Sequence, residues 1–118
     1  MKKIILASVL VVGAITSGSA NATAICTGGT SAGTGASPGT AATDFVRNAF
    51  TPKCSANVYL KADNAVTYFR VGSASGKGAR SFMGSTAGGS VASLATCVQC
   101  SATDASAAAT STSNPTSG

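Results

Sequence analysis

The strongest constraint on what this chain can fold into is its shortage of large apolar side chains. Beyond residue 22 only thirteen of 96 residues are Leu, Ile, Val or Phe, below the ~20% that normally supports a generous core. Low net charge argues against simple disorder. A core this thin is stabilised by disulfides or by a neighbouring chain, and both remedies have a sequence correlate here.

The disulfide correlate starts at the N-terminus. Lys2 and Lys3, an apolar run over residues 4–15 and Ala20-Asn21-Ala22 form the three parts of a bacterial-type secretory signal peptide, assigned to residues 1–22. The apolar run is too short to span a bilayer, so we expect no transmembrane span after cleavage, and a secreted, extracellular, cell-surface or periplasmic location. Export makes Cys26, Cys54, Cys97 and Cys100 disulfide formers rather than metal or redox ligands. Four cysteines allow three pairings. Cys26–Cys54 with Cys97–Cys100 joins nearby segments and is the pairing we favour, with a bridge from Cys54 to either C-terminal cysteine left open. Ile25 precedes Cys26 where lipoprotein processing needs a small residue, so lipid anchoring there is not expected.

Absences narrow the function. The chain has no His, no Trp and, with three acidic residues that are all Asp, no Glu. That removes Ser-His and Cys-His nucleophilic machinery and His metal ligands, and three scattered carboxylates do not make a paired-carboxylate hydrolase. We expect no enzyme, no metal and no cofactor. After residue 22, six Lys/Arg against Asp44, Asp63 and Asp104 leave a net charge of +3, compatible with an anionic glycan or envelope surface.

Along the chain, residues 23–43 and 101–118 are rich in Gly, Ser, Thr and Ala and, apart from Ile25, lack apolar side chains larger than Ala. They read as low-complexity arms, solvated or able to add as strands to a neighbour. All six aromatics fall between Phe45 and Phe82, which centres the compact domain on residues 44–100. Residues 43–50 suit a short helical turn, with Phe45/Ala49 and Val46/Phe50 at i, i+4, or an irregular strand.

Asp63-Asn64 reads as the centre of a tight hairpin turn. Tyr59 would then face Tyr68, and Asn57 would face Arg70. One face carries Val58, Leu60, Ala62, Ala65, Thr67 and Phe69, and the other Asn57, Tyr59, Lys61, Val66, Tyr68 and Arg70. A loop over 72–78, a strand over 80–85, a Gly88-Gly89 turn and alternation over 90–97 follow. The expected class is mainly β: a small disulfide-stabilised antiparallel sheet or sandwich-like domain with at most one short helix and low-complexity N- and C-terminal arms.

Three motifs call for chemistry. Cys97-Val98-Gln99-Cys100 is a C-x-x-C, which in a redox site would open a helix. Only the Ser/Thr/Ala tail follows, so a structural disulfide is expected. Gly72 to Lys77 is one residue short of a phosphate loop and Gly78 stands where Ser or Thr is needed, so no nucleotide is expected. Gly84 to Gly88 imitates a hydrolase elbow without its spacing. Tyr59 and Tyr68 with Lys61 and Arg70 remain as a candidate binding face, since rings flanked by cations suit stacking on sugars or bases. The role this suggests is a structural subunit of an extracellular or cell-surface assembly (a fibre, pilus-like polymer or matrix) that self-associates. The alternative is a soluble secreted binding protein or antibacterial factor acting on glycan or envelope through the Tyr/Lys/Arg face.

Overall fold

The computed structural model describes residues 22–38 and 42–118; the proposed leader, up to Asn21, lies outside them. The described chain runs β1 (Thr23–Thr27), β2 (Gly33–Thr34), β3 (Lys53–Cys54), β4 (Val58–Asn64), β5 (Phe69–Ser75), β6 (Arg80–Ser85), β7 (Ala92–Thr96) and α1 (Ala102–Thr110). A five-stranded antiparallel sheet has the order β1-β4-β5-β6-β7, and β2 pairs with β3 in a two-stranded ribbon. The mainly β class with one short helix and two disulfides is therefore what this chain adopts.

The hairpin exists, but its register differs from the expected one. Val58 pairs with Ser75, Ala62 with Val71, Asp63 with Arg70 and Asn64 with Phe69, so Tyr59 faces Ala74 rather than Tyr68. The chain reverses at Val66-Thr67, closed by the Ala65 amide donating to the Tyr68 carbonyl at 3.0 Å. Turn chemistry favoured Asp63-Asn64, yet both residues do more as strand residues. Asp63 forms a buried cross-strand ion pair with Arg70. The Asn64 amide receives the Val46 N–H at 3.0 Å and donates to the Val46 carbonyl at 3.1 Å. The slip is an even number of residues, so the sorting of side chains between faces survives. It also extends β5 through residues 72–75, where the run of Gly and Ser predicts a loop.

One sheet face is covered around Ile25, Cys26 and Ala62, against which Leu60, Phe69, Val71 and Cys54 pack. The Cys26–Cys54 disulfide ties β1 to the ribbon, and a bulge between Ala24 and Cys26 marks the site. The start of the N-terminal arm, Thr23–Thr27, is thus a strand of its own sheet instead of a solvated tail. Backbone bonds, together with the burial of Ile25 and Cys26, outweigh its small-residue composition. Residues 43–50 form turns and bends with no helix. Their backbone is satisfied by the hairpin instead, since the Phe45 amide donates to the Ala65 carbonyl at 2.7 Å.

The opposite face is covered by the segment expected to be a C-terminal tail. Ser101 caps α1, and its backbone N–H and hydroxyl donate to Asp104 Oδ2 at 2.7 and 2.9 Å. Alanine is the best helix former, and Ala105, Ala108 and Ala109 are fully buried. A helix with an all-alanine face can approach backbone closely. A Cβ on Gly72 would collide with the Ala105 carbonyl and the Ala109 amide nitrogen. Small side chains here mark close packing rather than a solvated arm. Past the helix, the Asn114 side chain is buried and donates to the Val71, Ala108 and Ala109 carbonyls at 3.2–3.3 Å, closing the helix C-terminus onto β5.

Candidate functional site

The four residues of the proposed binding face do not form an open surface. Tyr59, Lys61 and Arg70 share one side of the sheet, the side that α1 covers. Tyr59 packs against Ala74, Cys100 and Ala105, and its ring occupies the space a Cβ on Gly28 would need, at a backbone φ of 72° that itself favours glycine. Lys61, half-buried, faces Gly72. Arg70 is buried, donating from Nε and Nη2 to Asp63 Oδ2 at 3.0 and 2.6 Å. Its Nη1 donates to the Ser111 and Asn114 carbonyls at 3.2 Å each. Tyr68 sits at the turn with Arg70 5.0 Å from its ring centroid. Tyr68 and Arg70 meet, Tyr59 stands apart, and the guanidinium is fully engaged in fixing the C-terminal segment. The chemistry of this cluster is structural, since a buried charge of this kind persists only when paired and hydrogen-bonded.

Two other features stay open to solvent. The first is the outer edge of β7. No other described strand pairs with that edge, and residues 92–96 contain no charge and no proline. The opposite edge, β1, is partly covered: the Ala36 amide donates to the Ile25 carbonyl at 2.9 Å. The second feature is the loop that leaves β7. Cys97 and Cys100 are disulfide-bonded, as the spacing suggested. Gln99 takes a left-handed conformation, φ 55°, that turns the loop, and Val98 is 97% exposed at its tip. Cys100 is buried at 2% exposure, whereas Cys97 is half-buried. A cleft of about 360 Å³ opens there, lined by Ala79, Arg80, Thr96, Cys97 and Val98.

Contrary to expectation, a helix does follow the C-x-x-C, with Ser101 as N-cap directly after Cys100. The capping pair Ser101/Asp104 was legible; the expectation failed because no large apolar residue marks the helix. A larger groove of about 400 Å³ runs beside Val58, Ser73 and Phe82, with Phe82 43% exposed. Arg80 is its only charged lining residue. Among the described residues, no three of His, Cys, Asp and Glu gather as a metal site would require. No described helix is long and apolar enough to cross a membrane. Compared with models of known families, with characterised proteins and with solved structures, the chain matches none.

Proposed function

We propose that this chain is an exported structural subunit that associates with copies of itself through the β7 edge. The observation that carries the reading is the contrast between the two sheet edges. An edge strand without charge, proline or cover is a template for another strand, and β1 is partly covered while β7 is bare. Antiparallel pairing of β7 with β7 of a second copy about a twofold axis would make a continuous ten-strand sheet, a closed association. The arms supply strand and helix to their own domain, so the edge, not arm exchange, is the contact we assign to assembly. Larger assemblies would be built from such pairs.

Light scattering and sedimentation of the protein over a wide concentration range test this. The expected result is a dimer, with Ala95→Lys on the exposed side of β7 weakening it by at least ~10-fold, equivalent to ~1.4 kcal/mol. Ala95→Ser should leave it unchanged. A wild-type protein that stays monomeric at the highest concentration overturns the reading, as does association indifferent to Ala95→Lys.

A further inference from the structure

We propose that the Cys97–Cys100 disulfide is a thiol–disulfide exchange site, attacked at Cys97 by the thiolate of a cysteine-containing ligand. This inference is independent of association through β7. It rests on the asymmetry of the bridge and on the cleft in front of it. Exchange requires an incoming thiolate to reach one sulfur while the other departs. Cys97 lines the open cleft with Arg80 and Val98, whereas Cys100 is shut beneath the loop at 2% exposure, among Ala74 and Ala105. Attack is therefore directed to Cys97, and Cys100 is the leaving group.

Scission also has a prepared destination. Cys100 Sγ lies 3.5 Å from the Gly78 carbonyl oxygen, an acceptor that the disulfide cannot use and that a thiol can. The incoming thiolate gives its electron pair to a new S–S bond with Cys97 Sγ. The old bond's pair passes to Cys100 Sγ, which takes a proton from water and donates it to the Gly78 carbonyl. A second thiol of the ligand then attacks the mixed disulfide. The ligand leaves as a disulfide with its two electrons transferred, and Cys97 and Cys100 remain as thiols.

Charge beside the cleft favours the attacking anion. Arg80 is exposed and donates to Ser93 Oγ at 3.2 Å, a single neutral partner that leaves its charge uncompensated. The N-terminus of α1 does not serve this purpose, because Asp104 already receives its capping donors. Opening the bridge need not release the helix, since Gly72, Arg70 and Asn114 hold it independently. The Cys26–Cys54 bridge has a similar asymmetry, with Cys26 4% exposed and Cys54 half-buried beside a cleft of about 310 Å³, but no charged residue lines that cleft, so nothing there draws in a thiolate as Arg80 does at Cys97.

The test incubates the oxidised protein with reduced glutathione or with a neutral peptide dithiol, quenches by alkylation and maps the adducts by mass. Far-UV circular dichroism is followed in parallel. Mixed disulfide at Cys97 is expected, with Cys26–Cys54 intact and the spectrum unchanged. Cys100→Ser should accumulate the Cys97 adduct. Cys97→Ser should leave Cys100 at least ~10-fold slower to alkylate than Cys97 is in Cys100→Ser, as burial demands. Arg80→Gln should slow glutathione several-fold more than the neutral dithiol, which separates a small anionic thiol from a peptide thiol as ligand. Adducts forming first at Cys100, Cys26 or Cys54 overturn the proposal. So does reduction of Cys97–Cys100 that proceeds only in step with loss of the spectrum, which would make it a staple and nothing more.

Discussion

The residue that decides most about this fold is Arg70, and what it does depends on a register slip that leaves every side chain on its expected face. Opposite Asp63, it satisfies a carboxylate and two carbonyls from the C-terminal segment at once. Removing one partner of a buried pair strands the other, at a cost of ~3–5 kcal/mol. Asp63→Ala should lower the urea midpoint accordingly, and Arg70→Ala should cost at least as much because the Ser111 and Asn114 carbonyls lose their donors too. Equilibrium denaturation of both variants checks this; a loss under ~1 kcal/mol for either would contradict a structural role. Asp104 acts at the same scale. Hydrogen bonds first from the Ser101 backbone and then from its side chain hold its carboxyl below the ordinary value near 3.8. A depressed folded-state value means stabilisation fully present above the ordinary value and lost as pH falls through the lower one. Amide protection in the first turn of α1, referred to the intrinsic exchange rate at each pH, should therefore fall in acid, and Asp104→Asn should remove that dependence. These polar partners were visible as residues in the sequence, but partnership depends on register, and Asp-Asn turn chemistry pointed to the wrong one.

Elements were legible where side-chain alternation marks them and illegible where backbone proximity does. β6 has the expected bounds, and Gly88-Gly89 turns with φ of 128° and 84° as two glycines allow. By contrast, α1 announces itself only through a cap, because its buried face is Ala105, Ala108 and Ala109. A small-residue helix reads as a tail until Gly72 is seen beneath it. Gly72→Val should thus be among the most damaging single changes, since it collides with helix backbone that has no side chain to move aside. Thermal unfolding should show a loss of several kcal/mol, in the upper range for overpacking, while Gly33→Val, whose Cβ would meet nothing within 4 Å, stays within ~1 kcal/mol. The two disulfides likewise differ by loop length. Their sequence separations are 28 and 3, which in the chain-entropy account gives ~3.5 kcal/mol for Cys26–Cys54 and ~2 kcal/mol for Cys97–Cys100. The longer bridge compensates for the thin core, and the shorter is the one that can open with less consequence.

Across the whole molecule, the thirteen large apolar side chains that seemed too few do not have to fill both sides of the sheet. One side uses Ile25, Leu60, Phe69 and Val71 around a disulfide; the other is closed by alanines against Gly72 and Ala74 and by the Asp63–Arg70–Asn114 network. The domain therefore extends from Thr23 to the C-terminal segment, and the compact part is not confined to residues 44–100. Deleting residues 101–118 distinguishes the two descriptions. If they were a solvated tail, the truncated chain would melt like the intact one. With α1 as the second layer, truncation uncovers Ala74, Cys100 and the Gly72 strand, and it takes from Arg70 two of its carbonyl acceptors. The cut chain should then lose cooperative thermal unfolding and become sensitive to protease within β4 and β5, with both disulfides still formed. Deleting only residues 116–118, which lie beyond Asn114 and Pro115, should leave the melting curve within ~0.5 kcal/mol of wild type, the usual range for exposed positions. A 101–118 deletion that unfolds cooperatively at the wild-type temperature would return this segment to the status of a tail, and with it the estimate of how little core this sheet can live on.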